Sequence, residues 1–339
     1  MTMLRPLIVT MGDPAGVGPE IIARAWSALS SPPGPVAPIT PFVVVGDVQV
    51  LKAQGQPVEA VLSPSDAASV FDRAIPVLHH PAPAPVTPGQ PEPANAVAVA
   101  DWIERGVDLV LSGEGSGLVT APIAKAPMYA SGFRFPGHTE FIAELTADVP
   151  FSGTRGPVMM LTAKDLRACL VTIHVPIDQL PELVTGERVA RVARVVHESM
   201  KRDFGIHAPR LAMAALNPHA GEGGAIGLQE TTVLRPAAEA LRAEGLNITD
   251  PLPADTLFHE EARARYDAVV CLYHDQALIP VKTLDFWGGV NATLGLPIVR
   301  TSPDHGTGFD IAGKGVARAD SFIAAVRLAS EMASARASR

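Results

Sequence analysis

Three of the chain's ten histidines stand directly after β-prone apolar runs: His174 after LVTI, His219 after MAALNP and His274 after VVCLY. In α/β proteins, ligands gather at the carboxyl ends of parallel strands. Imidazoles delivered this way can converge on one divalent cation and leave positions open for water or substrate. Separations of 45 and 55 residues exclude a compact zinc finger. The competing reading puts the three in unrelated polar loops, and spacing alone leaves both open. NPHAGEGG around His219 is rich in small residues that permit close backbone approach. In YHDQ, Asp275 either orients an imidazole or is only a turn carboxylate.

Other residues suit ligand binding. GHTE, Gly137 to Glu140, sets an imidazole beside a hydroxyl ahead of a helical segment; Thr139 is either a ligand contact or an N-cap. Lys282, Asn291 and Arg300 stand out in the apolar stretch VKTLDFWGGVNATLGLPIVR. Cations in such surroundings are rarely buried alone, so they pair with an anionic group of a ligand, sit in an internal salt bridge, or lie at the surface. Asp255 in LPADTLF is expected to be partly buried, either as a general base or metal-site partner or as the cap of a helix near His259. AGVG at 15–18 is not GxGxxG, since position 21 is Ile, so no dinucleotide fingerprint is assigned. DHGTGFDIAGKG, Asp304 to Gly315, is denser in glycine, and its backbone amides with Asp310 could wrap an adenosine or pyrophosphate.

The elements that must position these residues read as alternating strand and helix. Leu7 to Thr10 is a short strand, IIARAWSAL a helix with Pro19 in its first turn, and Phe42 to Asp47 a second strand, which suggests parallel α/β structure. Six prolines within residues 80–95 exclude a helix or central strand there and predict an extended surface loop. A helix follows from Asn95 to Leu111, then a strand at GLVT. PVMMLTAKDLRACLVTIH, 157–174, reads as two antiparallel strands around an Ala-Lys-Asp turn, and marks a second subdomain or a dimerisation element. Val189, Val192, Ala193, Val196 and Met200 recur at helical spacing. Strands at Arg210–Leu216 and Asp267–Tyr273 and a helix from about Ala319 to Ala335 complete the chain.

Composition narrows the class. A length of 339 residues suggests about two domains or one large α/β unit, and 47% apolar with 18% charged residues can bury a sizeable core. Lys+Arg 27 against Asp+Glu 35 gives −8, which argues against nucleic-acid or anionic-membrane binding. The apolar run at the N-terminus is too short for a signal peptide, and no 18-residue apolar run exists. Cys169 and Cys271 lie in apolar runs and read as buried thiols, not a disulfide scaffold. The expectation is a cytoplasmic enzyme.

Taken together, the motifs MGDPAGVGPEI, TAPIAKA, FPGHTEFIAEL, HVPI, ALNPHAGEGGAIG, LPADTLF, YHDQ, GVNATLGLPIVRTSPDHGT and FDIAGKG run in one order from Met11 to Gly315. In this the chain resembles the 4-hydroxythreonine-4-phosphate dehydrogenases of pyridoxal phosphate biosynthesis. The DHGT…DIAGKG segment also looks like the adenosine-binding loop of isopropylmalate dehydrogenases. Two features depart from the pattern: DFWGGVNATLG lacks a more polar approach to GVN, and the proline stretch is long.

The resemblance implies an isocitrate/isopropylmalate dehydrogenase-like α/β fold: one dehydrogenase unit over 1–339, of two intertwined α/β subdomains around a central cleft. It implies that His174, His219 and His274 ligate a metal, that His138, Thr139, Lys282, Asn291 and Arg300 hold the substrate and its phosphate, and that His305, Gly306, Thr307 and Asp310 contact the cofactor. The implied reaction oxidises 4-phosphooxy-L-threonine with NAD or NADP to 2-amino-3-oxo-4-phosphooxybutanoate, which decarboxylates to 3-amino-2-oxopropyl phosphate. Three imidazoles favour zinc, with cobalt or magnesium as alternatives. Asp255 is the candidate proton acceptor. A homodimer with active sites at the subunit interface is implied as well. The rival readings are a same-fold dehydrogenase for a phosphorylated sugar acid or an aromatic dicarboxylate cis-dihydrodiol, a zinc hydrolase without nicotinamide, and a non-catalytic binding protein.

Overall fold

A computed structural model describes residues 5–31 and 39–338. The chain divides into two compact units, residues 1–150 with 297–339, and residues 151–296.

The first unit contains β1 (Leu7–Thr10), β2 (Phe42–Gly46), β3 (Val58–Val61), β4 (Ile75–His79) and β5 (Gly117–Thr120). The second contains β6 (Val158–Ala163), β7 (Leu166–Leu170), β8 (Arg210–Ala214), β9 (Asn247–Leu252), β10 (Ala268–Cys271) and β11 (Val290–Leu294). The chain then returns to the first unit with β12 (Arg300–Pro303).

In the first unit the strands run in the order β3-β4-β2-β1-β5-β12, all parallel. LIVT and FVVVG are buried along their whole length, as expected of parallel strands covered on both faces. Helix Gly18–Ser30 carries Pro19 in its first turn and buries Ile21, Ile22, Ala25, Trp26 and Leu29. Helix Ala96–Leu111 buries Val99, Trp102, Ile103, Gly106 and Val107. A Cβ on Gly106 would stand 2.9 Å from Leu118 Cδ1 and 3.0 Å from Thr10 Cγ2, so the helix lies close against β1 and β5 there. The proline stretch forms no helix before the short turn Pro93–Asn95. It is tied down where Gly89 N–H donates to Ala15 O at 2.8 Å and Ala84 N–H to Asn95 Oδ1 at 2.9 Å.

In the second unit the order is β11-β6-β7-β10-β8-β9. The antiparallel pair expected at 157–174 is β6 and β7, with Lys164 at φ 53° in the turn. β11 is antiparallel to β6, whereas β7, β10, β8 and β9 are parallel. Helix Gly186–Phe204 is capped by Thr185 Oγ1, which accepts from Arg188 N, and stops at Gly205, φ 67°. It buries Val189, Val192, Ala193, Val196 and Met200, the positions of its apolar stripe. Cys169 and Cys271 are buried free thiols. Among the described residues no helix is long and apolar enough to cross a membrane.

Candidate active site

The histidine-bearing turns leave the carboxyl ends of β7, β10 and β8, which are parallel neighbours in that order. Side chains tie these ends together. Thr172 Oγ1 donates to Leu272 O at 2.7 Å, beyond β7 and β10. Gln276 Oε1 accepts from Leu272 N at 2.7 Å, and its Nε2 donates to Ala215 O at 2.7 Å, beyond β8. Gln276 is buried. Its role was not legible from YHDQ, although the motif contained it.

His174 and His274 have ring centroids 5.6 Å apart. They line a pocket of about 440 Å3 with Ile173, Val175, Tyr273 and Asp275. His274 Nδ1 lies 2.7 Å from Asp275 Oδ1. That bond orients the ring and leaves Nε2 available to a ligand, the orienting role weighed for Asp275. His219 is exposed in the turn Pro218–Gly224. Among the described residues no three His, Cys, Asp or Glu side chains are gathered tightly enough to enclose an ion. The donor set still suits one: two neighbouring imidazoles share a pocket, one has its second nitrogen fixed by a carboxylate, and a third leaves the adjoining strand.

Lys282 is half-buried on helix His274–Leu284, with Nζ 5.2 Å from the Phe286 ring centroid. Asn291 lies on β11, and its buried Oδ1 has no hydrogen-bond partner, so an N–H or O–H of a ligand would satisfy it. Asp255 is exposed in the turn Ala254–Thr256, which corrects the expected partial burial. Leu257 turns inward in its place. The N-cap of helix Glu260–Arg263 is His259, so Asp255 does not cap it.

In the first unit, Arg300 opens β12 and is 2% exposed. Its Nη2 donates to Thr120 Oγ1, at the end of β5, at 2.8 Å. Burial lowers the guanidinium pKa to about 10 despite the charge of Glu140, so it stays protonated at neutral pH. Helix His138–Leu145 begins after Gly137, with no side-chain cap; Thr139 is buried inside the first turn and is not the N-cap. His138 Nε2 is buried without a partner. Burial, and then the Arg300 charge, hold the His138 pKa well below the usual histidine range. A neutral imidazole, a buried guanidinium and uncapped helix amides together suit a phosphate or carboxylate.

His305, Gly306 and Asp310 are exposed and Thr307 is half-buried in the loop after β12. This loop rests on the AGVG turn: Val17 N–H donates to Thr307 O at 2.8 Å. A Cβ on Gly16 would stand 2.9 Å from that oxygen. The first glycine turn therefore backs the second. Asp13, beside it, is buried and accepts from Ala15 N at 3.0 Å, and burial raises its carboxyl pKa.

Comparison with known proteins identifies the family. The family model described as pyridoxal phosphate biosynthetic protein PdxA matches residues 38–329. The 4-hydroxythreonine-4-phosphate dehydrogenase of Caulobacter vibrioides is 61% identical over 334 residues, covering 98% of each chain. The crystal structure of the protein of that name from Klebsiella pneumoniae superposes with a TM-score of 0.86 at 36% identity, covering 98% of each chain. A terephthalate 1,2-cis-dihydrodiol dehydrogenase from Burkholderia xenovorans gives a TM-score of 0.66 at 27% identity, over 97% of this chain and 98% of that one. With identity and coverage this high across both units, the chain belongs to the PdxA family of pyridoxal phosphate biosynthetic proteins.

Proposed function

We propose that this chain is a metal-dependent, NAD- or NADP-linked dehydrogenase in pyridoxal 5'-phosphate biosynthesis. It oxidises the hydroxyl of 4-phosphooxy-L-threonine to the ketone of 2-amino-3-oxo-4-phosphooxybutanoate. Loss of carbon dioxide from that β-keto acid gives 3-amino-2-oxopropyl phosphate. The observation that carries the reading is the placement of His174, His274 and His219 at the carboxyl ends of three adjacent parallel strands. The 61% identity to a relative named for this activity supports it.

His174, His219 and His274 would hold a divalent ion, with zinc or cobalt favoured over magnesium by the nitrogen donors. When bound, the ion supplies a Lewis acid that lowers the pKa of the reacting hydroxyl. Bound nicotinamide supplies the hydride acceptor. The chain's own residues do the rest. Asp275 holds the His274 ring in one orientation. Arg300 and Lys282 bind the phosphate, and this remote anchoring positions the reacting carbon. Neutral His138 and Thr139 complete the substrate contacts, and Asn291 Oδ1 accepts a substrate N–H or O–H. Asp255 takes the hydroxyl proton, and its exposure lets it pass that proton to water. His305, Gly306, Thr307 and Asp310 hold the dinucleotide. The active form is taken to be a homodimer.

A second reading is favoured by the dihydrodiol dehydrogenase likeness: Arg300 and Lys282 would then bind the two carboxylates of an aromatic cis-dihydrodiol. The test is absorbance in the reduced-nicotinamide band with NAD or NADP, zinc, cobalt or magnesium, and 4-phosphooxy-L-threonine. A rise abolished by chelator is the expected result. No rise with this substrate, but a rise with a dihydrodiol dicarboxylate or a phosphorylated sugar acid, would replace the substrate and keep the chemistry.

A further inference from the structure

Five consecutive residues, His219 to Gly223, take left-handed backbone angles, with φ between 44° and 77°. Glycine adopts them freely, but His219, Ala220 and Glu222 carry a Cβ that crowds the backbone there. Such a segment persists only where its surroundings over-determine it.

The surroundings are dominated by Glu230, whose side chain is fully buried. Its Oε1 accepts the backbone N–H of Leu216 at 2.9 Å and of Asn217 at 2.7 Å. Its Oε2 accepts Asn217 Nδ2 at 2.9 Å, and the same amide donates to Gln229 Oε1 at 2.8 Å. A Cβ on Gly221 would lie 2.7 Å from Glu230 Oε2, so the glycine lets the loop lie against the carboxylate. Glu230 also opens a π-helical turn, Glu230–Leu234, a feature frequent at functional sites.

We propose that Glu230 is the positioning residue of His219: it holds the left-handed loop that presents this imidazole as a metal ligand. The proposal rests on the metal reading above. A buried carboxylate accepting several N–H groups makes stronger bonds than a neutral acceptor. Glutamine at 230 would keep the Oε1 contacts but turn an N–H toward the N–H of Asn217.

The test reads metal affinity, not turnover. Co2+ and Zn2+ dissociation constants are measured by competition with a chromophoric chelator on the full chain, with circular dichroism and thermal melting as fold controls. Glu230→Gln is expected to stay folded and bind about tenfold more weakly or worse. Adding Asn217→Asp, which puts an acceptor opposite the new amide, is expected to recover most of that loss. If Glu230→Gln does not fold, Asn217→Ala, which removes the bond to Oε2, is expected to weaken binding instead. A folded Glu230→Gln with wild-type affinity, a double variant without recovery, or an unaffected Asn217→Ala would overturn the role of Glu230. Wild-type affinity in His219→Ala would overturn the metal reading itself, and the Glu230 proposal with it.

Discussion

Arg300→Met separates the two roles a buried cation can have. The guanidinium is 2% exposed, and burial takes its pKa from the usual arginine range down to about 10. At about 1.36 kcal/mol per pKa unit, the charged form is held at a cost of roughly 3 kcal/mol. Methionine removes that cost with an apolar side chain that fills much of the space. It also leaves Thr120 Oγ1 without its 2.8 Å donor, a loss of about 1 kcal/mol. The balance is a modest gain in stability, well below that cost because Glu140 also loses the charge opposite it. Catalysis moves the other way. A buried charge paired with a substrate anion contributes about 2–5 kcal/mol, so kcat/KM falls by about 30-fold to a few thousandfold. Thermal melting and initial rates in the reduced-nicotinamide band measure the two effects. Inorganic phosphate should raise the Tm of the wild type and leave that of the variant unchanged. A lower Tm together with near-wild-type kcat/KM would refute the reasoning, because Arg300 would then be a structural cation that never meets the substrate.

Other perturbations test separate parts of the site. The depressed pKa of His138 means the folded chain resists protonation there, so stability is lost as pH falls below the unfolded value of 6.5; His138→Asn should flatten that acid limb in melts run across pH, and an unchanged slope would count against it. Gly16→Ala forces a Cβ within 2.9 Å of Thr307 O and should raise KM for the dinucleotide several-fold while leaving chelator-measured metal affinity unchanged. Asp275→Ala releases the His274 ring and should weaken Zn2+ binding by about 10–100-fold, read in the same competition assay. Burial pushes the thiol pKa of Cys169 and Cys271 upward, so neither should react with an aromatic disulfide reagent until denaturant is added; rapid native labelling would contradict their burial.

Local elements were legible because their signals are local. LIVT and FVVVG are apolar runs with turn residues behind them, and both are buried parallel strands. The 189–200 stripe repeats at helical spacing and is the buried face of Gly186–Phe204. The Ala-Lys-Asp turn announced the β6–β7 pair. The three histidines could be singled out because each follows an apolar run, and the motifs around them identified the family. Burial of single polar residues was less legible. Asp255 lies between apolar residues in sequence yet is exposed, because the turn Ala254–Thr256 directs Leu257 inward. Thr139 has the residue type of an N-cap, yet the helix begins one residue earlier.

The sequence by itself determined several of the strand and helix segments, the residue types that suggest metal and anion binding, and the family. Only the tertiary structure decided which strand ends are neighbours. β10 lies between β7 and β8 although it follows both in the chain, and this insertion sets the order in which the histidine turns stand. Only there does Gln276 reach Ala215, Arg300 reach Thr120 across 180 residues, and Glu230 take up the amides before His219. The physical reason is range. Hydrophobic period, capping and turn chemistry act over a few residues and leave a mark in the local sequence. Strand order and the bonds of buried polar groups are chosen by packing and by the need to satisfy every buried donor and acceptor, and the partners they select are distant in the chain.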